Sequence, residues 1–200
     1  MKLLIFTTLQ EAESSLKKFE AKQIEPHLYT FSEGTIVICG FGAFAAMKAV
    51  YTYGPHHLEI FNLGIAGVLS DKYPIGSLHS IEVVGKYTHL PPDIDALSEQ
   101  ITSEHLPSLP LPRSGLRLVT SDFPIYQKTV RQRLSLNWDL VDMEGYGVVY
   151  AAHALSKQVH LWKIISDFAI EGEKGRASLK KNLAECGEKL AERLSAFISL

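Results

Sequence analysis

Three acidic residues carry the chemistry that can be read from this chain: Glu11, Glu144 and Asp167. Each stands just after an apolar, β-type run and precedes or opens a helix or loop. In Val141-Asp142-Met143-Glu144-Gly145-Tyr146-Gly147, a carboxylate at the first turn of a helix is expected to be held ionised by the helix dipole. Such a group accepts two hydrogen bonds at once and suits two vicinal hydroxyls, as on a ribose. Met143 beside it is soft and apolar, fit for the underside of a sugar. The plainer alternative is a helix cap beside a core methionine. Ser166-Asp167 follows the apolar run Leu161–Ile165. A partly buried Asp there is expected to have a raised pKa and to protonate a leaving group near neutral pH. The alternative is a capping or loop Asp.

Other chemistries lack their signatures. The eight histidines form no His-Glu-x-x-His, and His56-His57, being adjacent, point in different directions. No metal or cofactor is expected. There is no Gly-x-Ser-x-Gly elbow and no phosphate-binding Walker loop. Gly40-Phe41-Gly42 is too short for a dinucleotide fingerprint and reads as a tight turn with close backbone approach.

The elements that must position the three acids alternate between strand and helix. Leu3–Leu9, Glu59–Leu63 and Leu161–Ser166 read as strands buried on both faces, with Gly64–Gly67 as a loop after the second. Leu28–Phe31 and Thr35–Cys39 read as a hairpin, and Ser77–Val84 and Leu116–Ser121 as further strands. Helices are expected over Ala43–Tyr53, Ile125–Leu134, Gly145–Leu155 and Ala177–Ile198. Residues 87–113 hold five of the nine prolines and read as a long irregular loop. This alternation predicts one α/β layered domain over residues 1–200, with ligands at the carboxyl ends of the strands.

The composition fits that picture and narrows the function. Apolar residues make up 46% and charged residues 21% of 200 residues, a globular balance. A net charge of −2 argues against a protein built to grip nucleic acid or anionic membrane. No apolar run reaches the ~20 residues of a membrane span. The opening helix is charged and Cys39 and Cys186 form no disulfide framework, so no signal peptide and a cytoplasmic setting are expected.

Four segments, in order along the chain, resemble the purine nucleoside phosphorylase/nucleosidase superfamily. Asn62-Leu63-Gly64-Ile65-Ala66-Gly67 resembles its Asn-x-Gly-Ser-Ala-Gly loop. Val119-Thr120-Ser121-Asp122-Phe123 is similar to its Val-Ser-Gly-Asp stretch. Val141-Asp142-Met143-Glu144-Gly145 resembles its Val-Glu-Met-Glu-Ala segment, and Ile164-Ile165-Ser166-Asp167 its Ile-Ser-Asp segment. The chain looks closest to the hydrolytic branch, which includes methylthioadenosine/S-adenosylhomocysteine nucleosidase and futalosine hydrolase. The opening Lys2–Thr7 with Gln10-Glu11-Ala12-Glu13 is most like the latter. The resemblance implies a three-layer αβα domain with a mixed central sheet. It also implies a homodimer and hydrolysis of a 5′-substituted purine nucleoside, without cofactor, and the futalosine-type opening implies a tie to menaquinone biosynthesis. Asp167 would protonate the purine at N7, Glu144 would hold the ribose hydroxyls with Met143 and Asp142 beside it, and Glu11 (or Glu13) would activate water. Phe123, Ile125, Ile65 and Ser166 would line the substrate.

Two residues depart from the family pattern. Ile65 replaces a small serine and Pro124 replaces an aromatic beside the base. A phosphorylase needs cationic forks around phosphate, yet the first arginine is Arg113. Water is therefore the expected nucleophile, with phosphorolysis and a catalytically silent nucleoside binder as the rival readings.

Overall fold

A computed structural model describes residues 1–88, 108–168 and 173–198. The first half contains β1 (Lys2–Phe6), α1 (Leu9–Lys18), β2 (Lys22–Glu25), β3 (Leu28–Phe31), β4 (Gly34–Ile38), α2 (Ala43–Tyr53), β5 (Glu59–Val68) and β6 (Leu78–Tyr87). The second half adds β7 (Leu109–Pro110), β8 (Leu116–Ser121), α3 (Lys128–Leu134), β9 (Leu140–Asp142), α4 (Gly145–Ala154), β10 (Gln158–Asp167) and α5 (Glu173–Ile198).

The strands form one mixed sheet in the order β10-β6-β8-β9-β5-β1-β4-β3-β2. Leu3, Leu4, Ile5 and Phe6 are fully buried, as expected of a central strand covered on both faces. Helices α1 and α5 pack together, as do α2 and α4. Leu4, Phe6, Phe61, Leu63 and Leu194 form one core; Leu3, Ile5, Val50, Leu161, Val148 and Ile165 belong to another. Helix α4 is buried on nearly every side, which its apolar sequence demands. Its Gly147 cannot be replaced without cost, since a Cβ there would lie 2.0 Å from the Ala43 carbonyl oxygen of α2.

The sheet departs from the expected layers at one end. β10 pairs with both β6 and β5, so β10, β6, β8, β9 and β5 close into a ring from which β1, β4, β3 and β2 extend. Ten residues of β5 allow this. One edge of β5 pairs with β10, while the other edge is shared, with β1 on Glu59–Asn62 and β9 on Gly67-Val68. Among the described residues, Leu63–Ala66 have no partner strand on that second edge. A crevice opens where neighbouring strands part in this way.

Several boundaries differ from the sequence reading. Gly64–Gly67 is no loop, because pairing with Lys163–Asp167 carries the strand through it. Leu9 begins α1 rather than ending β1, because the Thr8 side chain caps the helix by accepting from the Glu11 amide. The helix expected from Ile125 starts at Lys128. β2 is exposed along its whole length and so carries no apolar signal. Within the expected 87–113 loop, Tyr87 ends β6 and Leu109-Pro110 pairs with it. Residues 89–107 of that loop lie outside the described residues.

Candidate active site

A cleft of about 290 Å³ opens at the parting of β1, β5 and β9. Its walls include Glu11, Asp142, Met143, Glu144, Ser166 and Asp167, with Ile65, Phe123 and Ile125. Every expected site residue therefore meets one cavity, although Glu11 and Asp167 are far apart in the chain. Glu13 does not. It is exposed and ion-paired with Lys17 at 2.8 Å, on the outer side of α1.

Glu11 is only 4% exposed. Its Oε1 accepts from the Thr8 hydroxyl at 3.0 Å, and its carboxylate also accepts from the Ile65 amide. That amide is available because β5 lacks a strand partner there. Ile65 thus serves the site through its backbone, as well as by lining the wall. Burial pushes the Glu11 carboxyl up to about 7; Lys163 and the Thr8 hydrogen bond oppose this, and the Glu144 charge adds to it. Gly64 makes the arrangement possible, since a Cβ at that position would stand 2.7 Å from Glu11 Oε2.

Glu144 is the residue before α4, not part of its first turn, and its side chain makes no capping bond. Burial opposes the ionised state that the helix-dipole expectation favoured. Burial, followed by the neighbouring Asp142 charge, raises its pKa, while Lys163, the Gly42 amide and the Thr7 hydroxyl pull it down. The Gly42 N–H donates to Glu144 Oε1 at 2.9 Å. Gly40 and Gly42 reach this turn at φ +82° and +95°, a region that favours glycine. The Gly40-Phe41-Gly42 turn is therefore a carboxylate holder.

Asp142 lines the cleft, but its carboxylate has structural work. Oδ1 accepts from Thr120 Oγ1 at 2.6 Å, and Oδ2 from the Gly145 amide at 2.9 Å. Oδ2 also pairs with Lys163 Nζ at 2.8 Å, with both side chains 1% exposed. Sequence reasoning missed Lys163. Its signal was a lysine in the apolar run Leu161–Ile165, where alternation puts it on the face of two core residues. Burial works against the Lys163 ammonium, but Asp142, Glu144 and Glu11 more than offset it and hold its pKa above the ordinary lysine value. Beneath the cleft thus lies one buried cation among three carboxyl groups.

Asp167 is half-buried at the end of β10, and its Oδ2 accepts from Ser166 Oγ at 2.7 Å. Met143 is half-buried beside Glu144, while Phe123 stands 66% exposed at the rim. Ile125 is buried, with its side chain in a core of Val119, Leu134 and Val141. Among the described residues, no group of three His, Cys, Asp or Glu is placed to hold a metal ion. Nor is any described helix long and apolar enough to cross a membrane.

Known proteins share this fold. The 5′-methylthioadenosine nucleosidase of Chlamydia trachomatis, an Asp-to-Asn variant bound to MTA, superposes with a TM-score of 0.79 at 20% identity. That alignment covers 99% of this chain and 97% of the other. An Asp-to-Asn variant of the Helicobacter pylori nucleosidase with 5′-methylthioadenosine gives 0.81 at 15% identity, with 99% and 97% covered. The futalosine hydrolase of Helicobacter pylori gives 0.81 at 14%, with the same coverage. No curated protein sequence matches the chain significantly. The family model described as the phosphorylase superfamily matches residues 82–199, which include the β9–α4 and β10 segments carrying Glu144 and Asp167. With more than half its length matched, and a mixed sheet parting to expose those carboxyls, the chain belongs to the phosphorylase superfamily.

Proposed function

We propose that this protein hydrolyses the N-glycosidic bond of a purine nucleoside carrying a 5′ substituent. One observation supports the reading above others: Glu11, Glu144 and Asp167 share one cleft, with the Glu11 carboxyl pushed up to about 7. A general base works best with a pKa near the operating pH. Asp167 gives its proton to N7 of the purine as the bond from C1′ to N9 breaks. The base then leaves neutral rather than as a poor anion. Positive charge grows on the ribose ring, as in glycoside hydrolysis, and the carboxylates around it stabilise that charge. Glu144 holds the ribose hydroxyls, and Met143 packs on the sugar. Glu11 takes a proton from water while the water oxygen bonds to C1′. Lys163, just beneath, keeps Glu11 from being driven higher. Because Glu11 acts ionised, the rate should rise with pH through about 7.

Water is favoured over phosphate as nucleophile. The described residues of the cleft wall supply carboxylates and no Arg, Lys or His. Structural relatives named for 5′-methylthioadenosine and futalosine support these as the candidate 5′ groups. The opening Lys2–Thr7 and Gln10–Glu13 favour a futalosine-type substrate and a role in menaquinone biosynthesis. The same reading makes the protein a cytoplasmic homodimer, in keeping with the exposed Phe41, Phe44 and Tyr150 around the cleft mouth and on α2 and α4.

The test is to incubate the protein with 5′-methylthioadenosine, S-adenosylhomocysteine and futalosines, and to follow free base by chromatography. Release without phosphate supports hydrolysis. Release that requires phosphate would make the protein a phosphorylase, and binding without release would make it a sensor.

A further inference from the structure

The end of β10 is irregular at the point where the acid must be aimed. The register between β10 and β5 runs Ile165 to Ala66 and then Asp167 to Gly67, so Ser166 is an extra residue with no partner of its own. This is a β-bulge, a device that bends a strand and redirects a side chain. A bulged residue loses its place in the ladder, and its backbone groups must find other partners. Ser166 is 1% exposed, so water cannot readily serve them. Its carbonyl oxygen instead accepts from Asn182 Nδ2 on α5, at 2.9 Å. Its hydroxyl bridges to Ala66 O at 3.3 Å and to Asp167 Oδ2 at 2.7 Å.

Helix α5 is itself fixed to the other side of the cleft. It packs on α1, and at Gly187 a Cβ would lie 3.5 Å from the carbonyl oxygen of Glu11. The element that holds the Ser166 bulge therefore also leans on the helix turn that carries Glu11.

We infer that Asn182 is a positioning residue for Asp167: by holding the Ser166 carbonyl it fixes the bulge that points the acid at the leaving base. The inference rests on the proposed N-glycoside hydrolysis. Asn182 is not among the residues lining the cleft, and it acts on Asp167 through Ser166. Its role should therefore show in the proton-transfer step and not in nucleoside binding.

Two variants and two substrates test this. Asn182→Asp keeps the size but removes the donor; Asn182→Gln keeps a donor on a longer arm. One substrate is the purine nucleoside that the wild type cleaves. The other is 4-nitrophenyl riboside, whose leaving group departs as a stable anion and needs no proton. Misplacement of a catalytic group by about 1 Å costs on the order of 100-fold. Asn182→Asp should thus lose roughly 10- to 100-fold in kcat on the purine nucleoside with KM within about twofold. On the nitrophenyl riboside it should stay within about threefold of wild type, and Asn182→Gln should recover part of the purine activity. Equal losses on both substrates would mean general damage and overturn the inference, as would an Asn182→Asp variant with full purine activity. If the wild type releases no base from any purine nucleoside, the hydrolase reading itself falls, and this inference falls with it. In the first two cases only the role of Asn182 is lost.

Discussion

Replacing Lys163 by Met tests the electrostatics beneath the cleft most directly. Met has nearly the shape of Lys but no charge. The ammonium is fully buried, 2.8 Å from Asp142 Oδ2, and also faces Glu144 and Glu11. Removing one partner of a buried ion pair costs about 3–5 kcal/mol, because the other charge stays behind uncompensated. Asp142 keeps two hydrogen bonds, from Thr120 Oγ1 and the Gly145 amide, which argues for the lower end, about 3 kcal/mol. For a chain of this size 1 kcal/mol shifts Tm by roughly 2–4 °C, so the loss at pH 8 should be about 6–12 °C. The sign with pH follows from the carboxyls. Glu11, pushed up to about 7, takes up a proton as the pH falls to 5, and Glu144 is shifted in the same direction, so the uncompensated charge shrinks. The Tm deficit should therefore be smaller at pH 5 than at pH 8. Lys163 also lowers the Glu11 pKa, so its loss must move that group further above about 7. The acid limb of kcat/KM should move upward by the same change. Thermal unfolding at both pH values and a pH–rate profile read these effects. A deficit independent of pH, together with an unmoved acid limb, would refute the argument that Lys163 neutralises these carboxyls.

Other substitutions separate the remaining roles. Asp167→Asn should abolish turnover while nucleoside binding, followed by calorimetry, stays largely intact; near-wild-type rates would remove Asp167 from the mechanism. Glu144→Gln keeps an acceptor for the Gly42 amide but loses the charge, so it should raise KM for ribosides and lower kcat by about 10- to 100-fold. Unchanged constants would show that the hydroxyls are held elsewhere. Gly64→Ala places a Cβ 2.7 Å from Glu11 Oε2, and the carboxylate must yield by several tenths of an ångström. The fold should tolerate this with a Tm loss of only a few degrees, while kcat should fall roughly 10-fold or more. Equal kcat in this variant would mean that the position of Glu11 is not critical.

Much of the architecture was legible because it is written locally. Leu3–Phe6 is apolar on both faces and had to be central; Leu179–Phe197 repeats at three and four and had to be helical. The three acids were legible because each follows a strand, and strand ends of a layered sheet face one rim. The closing of β10 onto β5 was not legible, since pairing between residues so distant in sequence leaves no local pattern.

The sequence by itself determined which groups are present: three acids in strand-end positions, a glycine-rich stretch and a family likeness spread along the chain. Tertiary structure alone decided how those groups behave. It buried Glu11 and Glu144 so that desolvation outweighs the helix dipole, and it turned Asp142 inward to Lys163. It also brought Asn182 of α5 to the carbonyl of Ser166, and the Gly42 amide to Glu144. The reason is physical. A pKa and a hydrogen bond depend on distance and on the exclusion of water, and neither is set until elements far apart in the chain have packed together.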